Sequence, residues 1–370
     1  MKNKALKFEK ITQICKMRKS LSYPSFLIAI CILFSNCHAG AKVMAQKIEK
    51  PLNIILLIGD GMGLAQISAA AFMNGGLALE LFKNIGLVKT SSANNYITDS
   101  AAGATAYSTG EKTYNGAIGL SKDSISLPTI LEMSEAHGLS TGLIATCSIT
   151  HATPGSFFGH QKNREMHKEI ANDFYTKGID YVAGTGKPYF DMNRLKADNY
   201  TVHTGKDLIG LDAIQKYFWF YNDSIDAPKS AERGLWLKQA TSQGIQFLSS
   251  NKKGFFLMVE GSQIDWGGHA NDFNYTVTEL IDFDHAVRAA LEFAQKDGNT
   301  LVLVTADHET GGLSLDAGSL TNKTIEHHYS STHHSGIMVP IYAYGPGSEL
   351  FTGTIENTDV FKKMKSLYGF

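Results

Sequence analysis

Asn53-Ile-Ile-Leu-Leu-Ile-Gly59-Asp60-Gly61-Met62-Gly63 is the stretch from which the rest of the chain can be read. Residues 53–59 form an unbroken apolar run rich in β-branched side chains, with no polar alternation. Such a run predicts a strand buried on both faces, as at the centre of a parallel sheet. Gly61 to Gly63 turn the chain, and Leu64 to Met73 read as a helix. The same alternation continues outward. Ser100 to Thr109 is helix-compatible, with Gly110 as its stop. Leu127–Ala136 reads as a helix, Thr141–Cys147 and Phe255–Val259 as strands, Val277–Lys296 as a long helix, and Thr300–Thr305 and Val339–Tyr344 as strands. Alternating strands and helices predict an α/β fold, with a central, mainly parallel β-sheet sandwiched between helical layers. Residues 165–254 hold aromatic-rich helical patches and turns without a nameable motif.

The 370 residues carry a formal net charge of -1, and 43% are hydrophobic. That balance leaves no basic footprint for nucleic acid, so recognition of DNA or RNA is not expected. The first 45 residues differ from the rest. Basic residues extend to Lys19, an apolar run spans Phe26 to Phe34, and Ala39-Gly40-Ala41 offers a small-x-small cleavage site. The run is short for a membrane span, so residues 1–41 read as a signal peptide and 42–370 as one exported catalytic domain, periplasmic or extracellular. Met17, before Arg18 and Lys19, is an alternative start. Cys37 offers a rival reading as a lipid-anchored N-terminus, although Asn36 departs from the usual small residue before it. Cleavage after Ala41 leaves Cys147 alone, which excludes an internal disulfide and reads as a buried structural thiol.

Acids and histidines recur at the predicted strand ends. Asp60 sits between glycines after the first strand, and taken alone it reads as a turn former. In Glu260-Gly-Ser-Gln-Ile-Asp265-Trp-Gly-Gly-His269, the Asp and His are four apart. One helical face could present both to one cation, although two glycines also allow a loop. Thr305-Ala-Asp307-His308-Glu309 follows a strand, and His333-His334-Ser335-Gly336 supplies a histidine pair that could equally be exposed. The set suffices for two zinc ions and one harder cation such as magnesium. Two such ions ~4 Å apart can clamp the attacking and leaving oxygens of a phosphoryl group.

Thr98-Asp99-Ser100-Ala101-Ala102-Gly103 puts a serine at a helix start, where an N-cap is the ordinary reading. The same position offers free N–H groups and a favourable dipole to a phosphate. No Ser-His-Asp pattern stands out, so metal coordination is the expected activator of the hydroxyl. Arg164, after His151-Ala-Thr153-Pro and His160, carries a guanidinium fork suited to phosphate oxygens, though a lone Arg is ordinarily a surface residue.

These motifs, with Lys112-Thr113-Tyr114-Asn115-Gly116, resemble the alkaline phosphatase family from Asn53 to about Pro346. The resemblance implies hydrolysis of phosphate monoesters through a phosphoserine at Ser100, with Arg164 binding the phosphate. It implies Asp265, His269 and His334 as ligands of one zinc, and Asp60, Asp307 and His308 as ligands of a second. Asp60, Thr153 and Glu260 are implied for magnesium, while His160 receives no ligand role. His151 and Trp266 stand where some members have Asp and Lys, a pairing that resembles compact bacterial members and leaves the third metal open. The short interval from Glu309 to His333 implies that no large extra domain precedes the last metal histidine. A homodimer is the assembly often found in the family. Related sulfatases need a different nucleophile motif, and phosphodiesterases other phosphate contacts. A phosphate or zinc scavenger would have no need of Ser100.

Overall fold

The computed structural model describes residues 49–208, 210–212 and 215–370. The signal-peptide and Cys37 readings therefore lie outside the described residues. The strands are β1 (Asn53–Gly59), β2 (Asn84–Lys89), β3 (Ser140–Ser148), β4 (Tyr181–Thr185), β5 (Tyr200–Thr204), β6 (Lys216–Phe220) and β7 (Phe255–Gly261). They continue as β8 (Thr300–Thr305), β9 (Glu309–Thr310), β10 (Leu313–Ser319), β11 (Thr324–Tyr329), β12 (His334–Ser335), β13 (Val339–Tyr344) and β14 (Gly353–Glu356).

Ten strands form one sheet in the order β14-β2-β13-β8-β1-β7-β3-β4-β6-β5. Only β13 runs antiparallel, to β2 and β8. Every residue of β1 is buried, and so is every residue of its neighbours β7 and β8. This is the environment that an unbroken apolar run requires. The predicted α/β sheet between helices is the fold observed.

Boundaries moved where capping decided them. The helix expected over 127–136 begins at Ile130, because Thr129 accepts a hydrogen bond from the Glu132 N–H at 3.1 Å while Glu132 accepts from the Thr129 N–H at 2.9 Å. That reciprocal box fixes the start beyond Pro128. The long helix runs Phe273–Asp297, starting four residues earlier than its apolar spacing indicated, because Asp272 caps it. The illegible region supplies β4, β5 and β6, which complete one side of the sheet. Between Glu309 and His334 stands only the β10–β11 hairpin, as the short interval implied.

Candidate active site

Parallel strands deliver the site residues at one edge of the sheet. Asp60 follows β1, and its N–H donates to the Gly261 carbonyl at the end of β7. Glu260 lies in register with Ile58 on one side and Ala145 of β3 on the other. Thr153 lies on a short helix after β3, and Asp307 and His308 follow β8. Ligand sites in open α/β sheets collect at such strand ends.

Glycines let these segments close on one another. Gly61 has φ +72°, and a Cβ there would lie 2.8 Å from Asp265 Cα. The segment Gln263–His269 is a helix despite its glycines, so Asp265 and His269 do share a face. A Cβ on Gly267 would lie 2.6 Å from the Thr276 nitrogen, and one on Gly268 would lie 2.9 Å from Thr310 Cβ. The two glycines are therefore needed for packing, which outweighs their poor helix propensity.

The geometry brings together two triangles of donor atoms. His269 Nε2 is 3.3 Å from Asp265 Oδ2 and 3.1 Å from His334 Nε2, and His334 Nε2 is 3.5 Å from Asp265 Oδ1. In the second, His308 Nε2 is 3.4 Å from Asp60 Oδ1 and 3.3 Å from Asp307 Oδ2. A tetrahedral zinc with bonds of about 2.05 Å separates its ligand atoms by about 3.3 Å. His308 also joins Asp265 and His334 in one group of neighbouring donor atoms, so the triangles adjoin. His269 Nδ1 faces the Thr332 carbonyl at 2.6 Å, and His334 Nδ1 faces that of Thr98 at 2.9 Å. Each carbonyl accepts a hydrogen bond from Nδ1–H, so Nε2 is the nitrogen left to serve as a metal ligand once it gives up its proton.

Buried oxygens lacking partners complete the fit test. Both carboxylate oxygens of Asp60, Oδ2 of Asp307, Oε1 of Glu260 and Oγ1 of Thr153 are buried without a hydrogen bond. Such atoms are costly unless a cation answers them. Burial, reinforced by Asp265 and Glu260, raises the Asp307 carboxyl to about 8. Burial raises Glu260 to about 7 and, with Asp307 beside it, drives Asp60 well above the carboxylate range. Asp265 resists its burial, because the hydrogen bond from His269 and the facing histidines hold it low. The hydrogen bond to Asp265 lifts His269 to about 9. The donor set thus fits zinc at the two histidine-carboxylate triangles and a harder cation among Asp60, Glu260 and Thr153.

Ser100 is the first residue of the helix Ser100–Thr109, and Asp99 is its N-cap, accepting from the Ala102 N–H at 3.0 Å. The N-cap reading of Ser100 is thereby corrected: Asp99 satisfies the free N–H, which releases the serine hydroxyl. Ser100 Oγ lies 3.2 Å from His308 Nε2. That nitrogen also faces Asp60 and Asp307, while His308 Nδ1 meets the Thr310 hydroxyl at 3.2 Å. Among the described residues no carboxylate bonds to the far side of the ring, so this is not a Ser-His-Asp triad. The helix docks closely, since a Cβ on Gly103 would lie 3.1 Å from Asp307 Cβ, and Tyr107 Oη donates to the Ala306 carbonyl at 2.7 Å.

Arg164 Nη1 is 3.2 Å from Asp99 Oδ2, which also accepts from the Gly116 N–H. Asp99 therefore caps the helix and aims the guanidinium at the same time. Sequence reasoning gave it no role, although an Asp before a run of small residues is itself a capping signal. Thr310 was also missed; its hydroxyl donates to Asp265. His151 is packed edge-on to Trp266 at 6.2 Å between ring centroids, and its buried Nδ1 has no partner. Burial depresses its pKa to about 3, so it is neutral. His160 is held by Glu132 and Gly119 and joins neither triangle. Cys147 is buried, with its thiol 3.3 Å from Glu260 Oε2.

The family model for alkaline phosphatase matches residues 51–219, 222–327 and 320–369. The chain belongs to the alkaline phosphatase family. Alkaline phosphatase 4 of Bacillus subtilis is 34% identical to it, covering 92% of this chain and 96% of that protein. The alkaline phosphatase of Escherichia coli is 33% identical, with 87% of each covered. The solved alkaline phosphatase from the Antarctic bacterium TAB5 superposes with a TM-score of 0.83 at 44% identity, covering 88% of this chain and 99% of that one. A histidine-to-aspartate variant of that enzyme, with Mg bound in its M3 site, superposes with a TM-score of 0.82 at 42% identity and the same coverage. As a family member, the chain is a metal-dependent phosphomonoesterase. Among the described residues, no helix is long and apolar enough to cross a membrane.

Proposed function

We propose that the chain hydrolyses phosphate monoesters through a phosphoserine formed on Ser100. The observation that carries this reading is the position of Ser100 Oγ, on the first turn of a helix and 3.2 Å from His308 of the second triangle, with Arg164 held by the neighbouring Asp99. Asp265, His269 and His334 would hold one zinc, and Asp60, Asp307 and His308 the other. Asp60, Glu260 and Thr153 would hold magnesium. Bound there, the three ions supply neutralising charge and Lewis acidity that favour the ionised forms of the serine hydroxyl and of water.

The protein's own groups do the rest. Arg164 grips two non-bridging oxygens of the phosphate, held in line by Asp99. Free N–H groups at the helix start add to the anion's binding. Ser100 Oγ gives up its proton and bonds to phosphorus as the bond to the alcohol oxygen breaks, and the alcohol oxygen leaves with a proton in exchange. Water then attacks the phosphoserine, releasing inorganic phosphate and restoring the hydroxyl. Because Arg164 reads the phosphate and not the alcohol, many monoesters fit. His151 and Trp266 tune the magnesium position: both are uncharged, so they add no attraction for a hydrated cation. A relative whose His-to-Asp variant has Mg in its M3 site supports such tuning. We also read residues 1–41 as an export signal, giving a periplasmic or extracellular enzyme, and a homodimer as the assembly to test. Release of phosphate from a chromogenic monoester by the zinc- and magnesium-loaded protein, and its loss in Ser100→Ala, tests the reading. Full activity in Ser100→Ala would overturn it.

A further inference from the structure

Glu309 directly follows Asp307 and His308, belongs to neither donor triangle, and is 3% exposed. A carboxylate so buried is costly unless its oxygens are answered. Four donors answer it, two on each oxygen. Gln66 Nε2 donates to Oε1 at 2.7 Å, and the Leu313 N–H donates to the same oxygen at 3.3 Å. The Ser335 hydroxyl donates to Oε2, and so does the Gly312 N–H at 3.3 Å. An ionised carboxylate has about four lone-pair sites and no proton to place, so it matches this set of donors. An amide in its place has an acceptor at one end only.

The segments joined at Glu309 are distant in sequence, and each adjoins a metal-ligand candidate. Gln66 lies on the helix Leu64–Asn74, which follows the Asp60 turn. A Cβ on Gly63, in that turn, would lie 2.4 Å from Glu309 Cγ, so the turn packs on the glutamate stem. Ser335 follows His334 and stands opposite Glu309 in the antiparallel pairing of β12 with β9. Successive side chains of a strand point to opposite faces, and β9 uses both. Thr310 faces the triangles: its hydroxyl donates to Asp265 and meets His308 Nδ1 at 3.2 Å. Glu309 faces the other way, towards Gln66 and Ser335. The Thr310 backbone strengthens the joint. Its N–H donates to the Gly61 carbonyl at 3.3 Å, and its carbonyl accepts from Gln66 Nε2 at 2.9 Å. We propose that Glu309 is a positioning residue that ties His334 of the first triangle to Asp60 and His308 of the second, and so fixes the spacing of the two triangles. A pair of cations serves both the attacking and the leaving oxygen of a phosphoryl transfer only at a spacing of roughly 4 Å. The inference rests on the zinc reading of the triangles, and it gives Glu309 no contact with ion or substrate.

The test follows zinc release from metal-loaded protein into a chromogenic chelator. Wild type is compared with Glu309→Ala, Glu309→Gln and Ser335→Ala, and His334→Ala identifies the phase that belongs to the first triangle. Glu309→Ala should release that zinc roughly 10- to 100-fold faster, the range by which loss of a ligand's supporting partner weakens metal binding. Glu309→Gln keeps the volume, but in either orientation its amide turns an NH2 towards the N–H of Leu313 or Gly312, so it should also release zinc faster. Ser335→Ala cuts only the tether to β12, so it should speed the first phase and leave the second unchanged. Adding Ser335→Ala to Glu309→Ala should speed the first phase no further, because the two changes remove one shared contact. If Glu309→Ala fails to fold, Glu309→Gln and Ser335→Ala carry the test. Thermal melts of the chelated proteins separate positioning from general support. Melting temperatures that fall in Glu309→Gln and Ser335→Ala while zinc release stays as in wild type would make Glu309 a support of the fold alone, and overturn the proposal. Unchanged release with unchanged melting overturns it too. A wild type that takes up no zinc would overturn the zinc reading, and this inference with it; a wild type that holds zinc beside variants that hold it equally well overturns this inference alone.

Discussion

Removing the cations should make the protein's stability fall steeply as pH rises. Glu260 moves from an ordinary 4.5 to about 7 and Asp307 from 3.8 to about 8, chiefly through burial. Both folded-state values lie above the unfolded ones. The folded chain therefore holds more protons than the unfolded chain between about pH 4 and 8, and stability drops with rising pH across that window. His269, held to about 9 by Asp265, adds a loss in the same direction at the alkaline end. Each pKa unit is about 1.4 kcal/mol, so ionising Glu260 costs roughly 3 kcal/mol and Asp307 roughly 6. The two repel one another and part of that cost is shared, which leaves roughly 5–9 kcal/mol for the pair. Below about pH 7 this loss is offset in part by His151, His308 and His334, which burial holds below the ordinary imidazole value; above it Asp307 and His269 still titrate, and at roughly 2 °C per kcal/mol the melting temperature of chelated protein should fall by roughly 5 °C between pH 7 and 8.5. Zinc and magnesium should flatten that slope, since they bind only the folded state and neutralise the carboxylates. Thermal melts at several pH values, with chelator and with metals, measure both. A chelated protein whose melting temperature is flat or rises over this range would refute the assignment of these carboxylates to a cation site.

Arg164→Ala should weaken binding of inorganic phosphate by roughly 10- to 100-fold, the order expected for loss of charge-assisted bonds, with zinc content unchanged; calorimetry and metal analysis check it. His151→Asp adds a negative charge two residues from Thr153, one of the proposed magnesium ligands, so the variant should saturate at lower magnesium at fixed zinc, by roughly 10-fold. Unchanged magnesium dependence would mean that His151 does not face that site. Mass spectrometry of native protein should find an N-terminus near Lys42; an intact Met1 or Met17 would exclude the signal-peptide reading, and a lipid on Cys37 would select the anchored one.

What could be read from the sequence followed burial. β1, β8 and β13 match their expected limits because each is a buried run whose apolar pattern has no competing explanation. β5, by contrast, is an edge strand, Tyr-Thr-Val-His-Thr, with only Tyr200 buried, so its composition carried little signal. β4 is buried but short and contains Gly184, which weakens a strand pattern. The acids and histidines were visible as residue types at strand ends. Their grouping into two triangles was not, because Asp60 and Asp307 meet through the parallel pairing of β1 with β8, and His334 reaches His269 through the antiparallel pairing of β12 with β9. Spacing also could not distinguish Asp99 from Ser100 as the cap, since both residue types favour that position. The structure separates them: Asp99 accepts from Ala102 and Gly116, and the serine hydroxyl turns towards His308.

The covalent step is the centre of the account. Metal-loaded protein mixed with a phosphate-labelled monoester at mildly acidic pH, quenched in acid and digested, should yield one phosphorylated peptide, carrying the label on Ser100. Ser100→Ala should yield none. Label on another residue, or turnover in wild type with no labelled peptide at any quench time, would contradict a phosphoserine at this position.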